Sequence, residues 1–133
     1  MAGRLNGIKE IDRWLLDRER EGFLIRKVSQ YVSEINGKKV NIKFNKLRRD
    51  NTFWFNTTYK RLKEMDVFVW LCGDSENYYV IPCDNMRQLI EAGSWLKKGW
   101  GNRPSFCLSL NHKYIPANID VSSYYQNLSP LNS

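Results

Sequence analysis

The sequence predicts an α+β or α/β fold, with a mixed central sheet of about five or six strands flanked by helices. Three observations predict it. Lys39–Asn45, KVNIKFN, alternates apolar and polar residues as a half-buried strand does. Val67–Cys72, VFVWLC, is a continuous apolar run of the kind buried on both faces of a sheet. Ile8, Ile11 and Leu15, with Trp14 beside them, recur at helical spacing among charged residues.

Taken in order, the chain opens with a helix over about 8–21, capped by Asn6 and stopped by Gly22. Phe23–Ile35 fits helical spacing through Leu24, Val28, Tyr31, Val32 and Ile35. Its β-branched residues and the following Asn36-Gly37 favour a strand over Gln30–Ile35 that enters a hairpin. The alternating strand 39–45 follows, with Val40, Ile42 and Phe44 on one face and Asn41, Lys43 and Asn45 on the other. Lys46–Asn51 is a basic loop. Thr52–Asn56 is a short aromatic strand, with Phe53 and Phe55 opposite Trp54. One or two helical turns run from Thr58 to Met65. Val67–Cys72 and Tyr78–Ile81 form a hairpin around Gly73–Asn77, stopped by Pro82. Asp84 is placed to cap a helix to about Glu91 with Met86, Leu89 and Ile90 inward. Ser94–Pro104 reads as a loop, Ser105–Leu110 as a strand, Asn111-His112 as a turn and Tyr114-Ile115 as a short strand. Asp120–Leu128 reads as a final helical turn, and 129–133 as a mobile tail.

A chain of 133 residues, with 42% hydrophobic and 14% aromatic residues, is expected to form a single domain (1–133) with its sheet core over about 30–115. No apolar run approaches the roughly 18–20 residues that span a bilayer, and the first 20 residues do not read as a signal peptide. The expected location is cytoplasmic, with nucleoid association as a variant, and no membrane partner. Cys72, Cys83 and Cys107 are widely spaced and His112 is the sole histidine. That excludes the paired ligands of a structural zinc site and points to buried reduced thiols. No P-loop, nucleophile elbow or dinucleotide fingerprint is present.

The net charge of +7 is uneven. Residues 1–65 carry 16 Lys or Arg against 8 Asp or Glu, whereas residues 66–133 carry 5 against 6. Nine cations (Lys38, Lys39, Lys43, Lys46, Arg48, Arg49, Lys60, Arg61 and Lys63) lie within 26 residues that hold a single acid, Asp50. A local cluster of this kind suits a polyanionic partner, DNA first and RNA as the variant. Trp54 and Tyr59 add rings for stacking. A second candidate contact combines Trp95 and Trp100 with Lys97, Lys98 and Arg103.

Glu34, in the strand before Asn36-Gly37, lies across a hairpin from Asn41-Ile42-Lys43, whose two polar residues share a face. Downstream come an aromatic strand (Phe53-Trp54-Phe55), an Asp opening a hydrophobic strand (Asp66–Trp70), a tyrosine-rich strand ending in Ile81-Pro82, and a helix. Over residues 34–98 this order resembles the PD-(D/E)xK, or restriction-endonuclease-like, superfamily of metal-dependent nucleases. The resemblance implies a restriction-endonuclease-like sheet and Mg²⁺-dependent hydrolysis of phosphodiester bonds. Glu34 would be a metal ligand and Lys43 the catalytic cation. Asn41 would be a degenerate ligand, because the triplet is Asn-Ile-Lys where the family carries an acid. The acid on the N-terminal helix has three candidates, Glu10, Asp12 and Glu21. Cutting both strands with one small site per chain implies a homodimer or higher homo-oligomer. The function expected is therefore DNA binding by a domain of this type, with endonuclease activity as its catalytic form. The alternatives are a non-catalytic DNA- or RNA-binding module and a protein-interaction or inhibitory factor using the same basic, aromatic surface.

Overall fold

A two-residue turn sets the register of the main sheet. In this computed structural model, which describes residues 2–93, 95–97 and 103–132, Asn36 and Gly37 both take positive φ (50° and 83°). That backbone matches the right-handed twist of the strands that it joins. Strand β2 (Val32–Ile35) thereby pairs with β3 (Lys38–Asn45) so that Ile35 faces Lys38, Glu34 faces Lys39 and Val32 faces Asn41. A three-residue strand, β1 (Ile25–Lys27), covers the outer edge of β2. On its other side β3 runs parallel to β5 (Val67–Cys72), from Val40 beside Val67 to Asn45 beside Cys72. β5 then turns back into antiparallel β6 (Tyr78–Pro82). The order β1-β2-β3-β5-β6 gives a mixed five-stranded sheet, so the fold is α+β.

The parallel pair requires a crossover, and the crossover carries β4 (Thr52–Asn56) and the short helix α2 (Tyr59–Glu64). β4 starts a second sheet rather than extending the first. It pairs antiparallel with β8 (Arg103–Ser109), which is flanked by β7 (Trp95–Lys97) and by β9 (Lys113–Tyr114), itself paired with β10 (Ile119–Asp120).

The main sheet is covered on both faces. Helix α1 (Ala2–Arg20) packs Ile11, Trp14 and Leu15 against Val40, Ile42, Val67, Val69 and Leu71. Gly7 lets it approach closely, since a Cβ there would sit 3.1 Å from the Phe44 ring. Phe68 and Trp70 point to the other face. There they meet Phe53, Phe55, Phe106 and Tyr114 of the second sheet, Leu62 of α2, and Met86 and Leu89 of helix α3 (Cys83–Gly93). Trp70 stacks on Phe55 with ring centroids 4.9 Å apart and planes 6° from parallel. Cys72 and Cys107 are buried and Cys83 is partly buried, all as free thiols.

Several elements differ from the sequence expectation. α1 begins at Ala2, well before Asn6, so Asn6 is not its cap. Ser94–Pro104 is not all loop, because Trp95–Lys97 pairs with β8. Phe23–Ile35 becomes two short strands. Within Asp120–Leu128 the expected helical turn is a 3-10 turn (Ser122–Tyr124), and Asp120 itself ends a strand. α3 starts at Cys83, which puts Asp84 inside its first turn. Residues 129–132 are docked rather than loose. Ser129–Leu131 is a 3-10 turn that buries Leu131 completely on the α1 side of the sheet. Asn36 Nδ2 donates to the Leu131 carbonyl at 2.9 Å, and the Lys38 ammonium donates to that of Asn132. Among the described residues no helix is long and apolar enough to cross a membrane.

Truncating Trp70, 1% exposed and central to the aromatic stack, is expected to cost about 3–5 kcal/mol of unfolding free energy in Trp70→Ala, read by urea titration. A second expectation concerns alkali. Burial pushes the phenol of fully buried Tyr114 up to about 12 from its ordinary 10. A raised folded-state value contributes stability that is complete below about pH 10 and is lost as pH rises through about 12. The urea midpoint is therefore expected to fall less steeply across that window in Tyr114→Phe than in wild type.

Candidate nucleic-acid interface

The pleat of β3 sends Val40 and Ile42 toward α1 and leaves Lys39, Asn41 and Lys43 on the opposite face. Parallel pairing sets Asn41 beside Phe68 and Lys43 beside Trp70, at the margin of the inter-sheet core. Asn41 is almost fully buried. Its Nδ2 donates to the Tyr31 carbonyl at 3.0 Å, and its Oδ1 has no hydrogen-bond partner. Half-buried Lys43 reaches across to the end of β4, where its Nζ donates to Asn56 O at 2.5 Å and Asn56 Oδ1 at 3.2 Å. Asn45 Nδ2 likewise donates to Trp54 O. The Thr58 hydroxyl caps α2 by accepting from the Arg61 amide at 3.1 Å, and that turn of helix brings Arg61 to the same place. Asn41, Lys43, Asn45, Asn56, Thr58 and Arg61 line a cleft of about 430 Å³, with the partly exposed Tyr31 at its side.

Glu34 shares the face of Asn41 and Lys43 but not their cleft. It stands opposite Lys39, four residues and about 13 Å along β3 from Lys43. Its carboxylate accepts from Arg26 Nε at 2.8 Å and lies 2.6 Å from the second guanidinium nitrogen. It lines a neighbouring groove with Arg26, Lys39, Arg61 and Glu64, so Arg61 borders both depressions. The three candidate acids, Glu10 and Asp12 on α1 and Glu21 just past its end, are engaged elsewhere. Glu10 accepts from the Ser75 amide at 2.8 Å, Asp12 pairs with Lys27 at 2.9 Å, and Glu21 pairs with Arg18 at 2.6 Å.

This donor set can be weighed against Mg²⁺. A hard divalent cation takes about six oxygen ligands, carboxylates foremost. The cleft offers the orphaned Asn41 Oδ1, a neutral oxygen, and sets two cationic side chains beside it. The rung facing Asn41 holds buried Val32. Among the described residues no group of three His, Cys, Asp or Glu could hold a metal. The residues do not fit Mg²⁺; their charge and donors fit an anion.

Beyond the cleft, Lys46, Arg48 and Arg49 are exposed on the β3–β4 loop. Arg48 lies over the half-buried Trp54 ring, 5.1 Å from its centroid, and Trp54 Nε1 donates to Thr52 Oγ1 at 3.0 Å. Asp50 is exposed but bonded within its own loop: its carboxylate accepts from the Thr52 hydroxyl and amide, and these bonds, with the Arg48 guanidinium nearby, hold the carboxyl below its ordinary value. Phe53 and Phe55 are buried. On α2, Tyr59, Lys60 and Lys63 are exposed, with Lys60 3.9 Å from Glu64. Lys39 is exposed, and its backbone amide is held by Asp66 at 2.9 Å. Lys97 pairs with Arg103 across the β7–β8 ladder, whereas Lys98 and Trp100 lie outside the described residues. His112, without a partner in sequence, has one in space: the Tyr79 hydroxyl 2.6 Å from Nδ1. Asn45, Asn56, Thr58 and Tyr31 are the cleft residues that sequence reasoning missed. Asn45 could have been found from its place on the polar face of β3.

Helix α1 lies on one face of the mixed sheet, and the β2–β3 hairpin leads into the parallel β3–β5 pair. The chain is similar to a solved structure of a bacterial homing endonuclease, I-Ssp6803I. The TM-score is 0.53 over 92% of this chain and 86% of that one, and the sequences are 14% identical. At that identity the likeness is one of fold. No family model and no curated protein matches the chain.

Because Arg26 is 70% exposed, its ion pair with Glu34 is worth little. Glu34→Gln is expected to change the unfolding free energy by less than about 1 kcal/mol, measured by chemical denaturation.

Proposed function

We propose that the protein binds DNA along the face formed by the β3–β4 loop, the start of α2 and the cleft between them. One observation carries this reading: Lys46, Arg48 and Arg49 are all exposed on a loop with a single acid, Asp50, which is bonded to Thr52, so the loop keeps a net positive charge facing solvent. Lys43 and Arg61 continue that charge inward, and Trp54, Tyr59 and Tyr31 set rings beside it. The fold likeness to a homing endonuclease supports DNA over RNA as the partner.

Each phosphate neutralised releases counterions, which gives affinity a salt slope of about −0.9 per contact. Fluorescence anisotropy on labelled duplex DNA across a salt series is the test. The triple variant Lys46→Ala/Arg48→Ala/Arg49→Ala is expected to bind roughly tenfold more weakly, with a slope shallower by up to about 2.7. Binding that ignores salt and these three residues would refute the assignment.

Endonuclease activity with Mg²⁺ is the second reading. It is favoured by the fold likeness alone and would need metal ligands from outside the cleft, whose lining holds no carboxylate. It predicts nicking of supercoiled plasmid that needs the divalent ion and disappears in Lys43→Ala.

A further inference from the structure

We infer that the Lys43–Arg61 cleft seats a backbone phosphate of the bound nucleic acid directly, without a divalent ion, and so holds a strand rather than cutting it. The inference rests on the DNA-binding reading and adds the ligand, the residues and the independence from metal.

The cleft's polar lining is two cations, three amides and the hydroxyl residues Thr58 and Tyr31. Mg²⁺ placed there would meet both positive charges at close range with no carboxylate to offset them. A phosphate monoanion meets the reverse situation, because the guanidinium offers a planar fork of donors and the ammonium a point charge. Both cations are presented by fixed elements. Lys43 is tied to Asn56 at the end of β4, and Arg61 belongs to the first turn of a helix capped by Thr58. Both are partly buried, and their interaction with an anion is less screened than that of the fully exposed loop cations. At about 430 Å³ the cleft exceeds a lone phosphate and suits a phosphate with its adjoining sugar, against which the 39% exposed Tyr31 can lie.

The test uses the full chain and labelled duplex DNA, by anisotropy in EDTA and then in Mg²⁺. Wild type is expected to bind in EDTA, and to bind no more tightly in Mg²⁺, which competes for phosphates. Lys43→Ala and Arg61→Gln are each expected to weaken binding roughly tenfold in EDTA. Arg20→Ala, which removes one exposed charge from α1, is expected to change it far less. Circular dichroism and thermal melting confirm that each variant is folded; Arg61→Gln, on the rim, keeps the test open should Lys43→Ala fail to fold. Wild-type binding that both cleft variants retain would overturn this inference and leave the DNA-binding reading standing. Binding that requires Mg²⁺, or plasmid nicking in Mg²⁺, would overturn it as well. Failure of wild type to bind any DNA would overturn both readings. Inorganic phosphate is the last arm. If it raises the melting temperature of wild type but not of Lys43→Ala, while DNA affinity is the same in both, the cleft takes a free anion and the backbone assignment fails.

Discussion

The parallel pairing of β3 with β5 is the constraint on which the rest of the structure depends. All six residues of β5 are buried, so that strand has to lie inside a sheet with a neighbour on each side. A parallel neighbour cannot be reached by a tight turn, and the chain between the two strands must cross over. Here that crossover is β4 and α2. β4 founds the second sheet, which supplies Phe55 to the core, and the β4–α2 junction delivers Asn56, Thr58 and Arg61 to the polar face of β3. The core and the cleft are two products of one connection: its apolar letters fill the space between the sheets and its polar letters line the margin.

Much of the main sheet was legible in the sequence because its signals are local. Asn36-Gly37, the alternation through Phe44 and the unbroken run at Val67 each carry their structure within a few residues. The second sheet was harder to see. β7 and β10 are three and two residues long, too short for periodicity, and they exist because β8 and β9 offer ladders to pair with. Leu131 shows the same limit, since nothing near it in sequence announces that a pocket beside α1 will receive it.

The candidate site divides along the same line. Asn41 and Lys43 two apart on a strand can be read directly. The position of Glu34 follows from the two-residue turn, which fixes it opposite Lys39 and away from Lys43. What sequence could not supply is the company each residue keeps: Arg26 for Glu34, Asn56 for Lys43, and Arg61 arriving from a helix eighteen positions on from Lys43. Charge was the sturdier signal because it survives ignorance of the fold. A loop with three exposed cations and one acid is basic whatever strand it leaves.

The facing of Val32 and Asn41 across one rung has a consequence for how such a chain can change over generations. Side chains on a shared rung stand about 5 Å apart, close enough for two carboxylates to grip one ion. On this scaffold, a grip on a metal and the phosphate grip inferred above would differ at these two facing positions, with backbone, crossover and basic loop held in common. Duplicated copies could diverge between the two chemistries without refolding, and the toll would fall on packing, because both positions are buried and an acid at either must find a partner or be expelled.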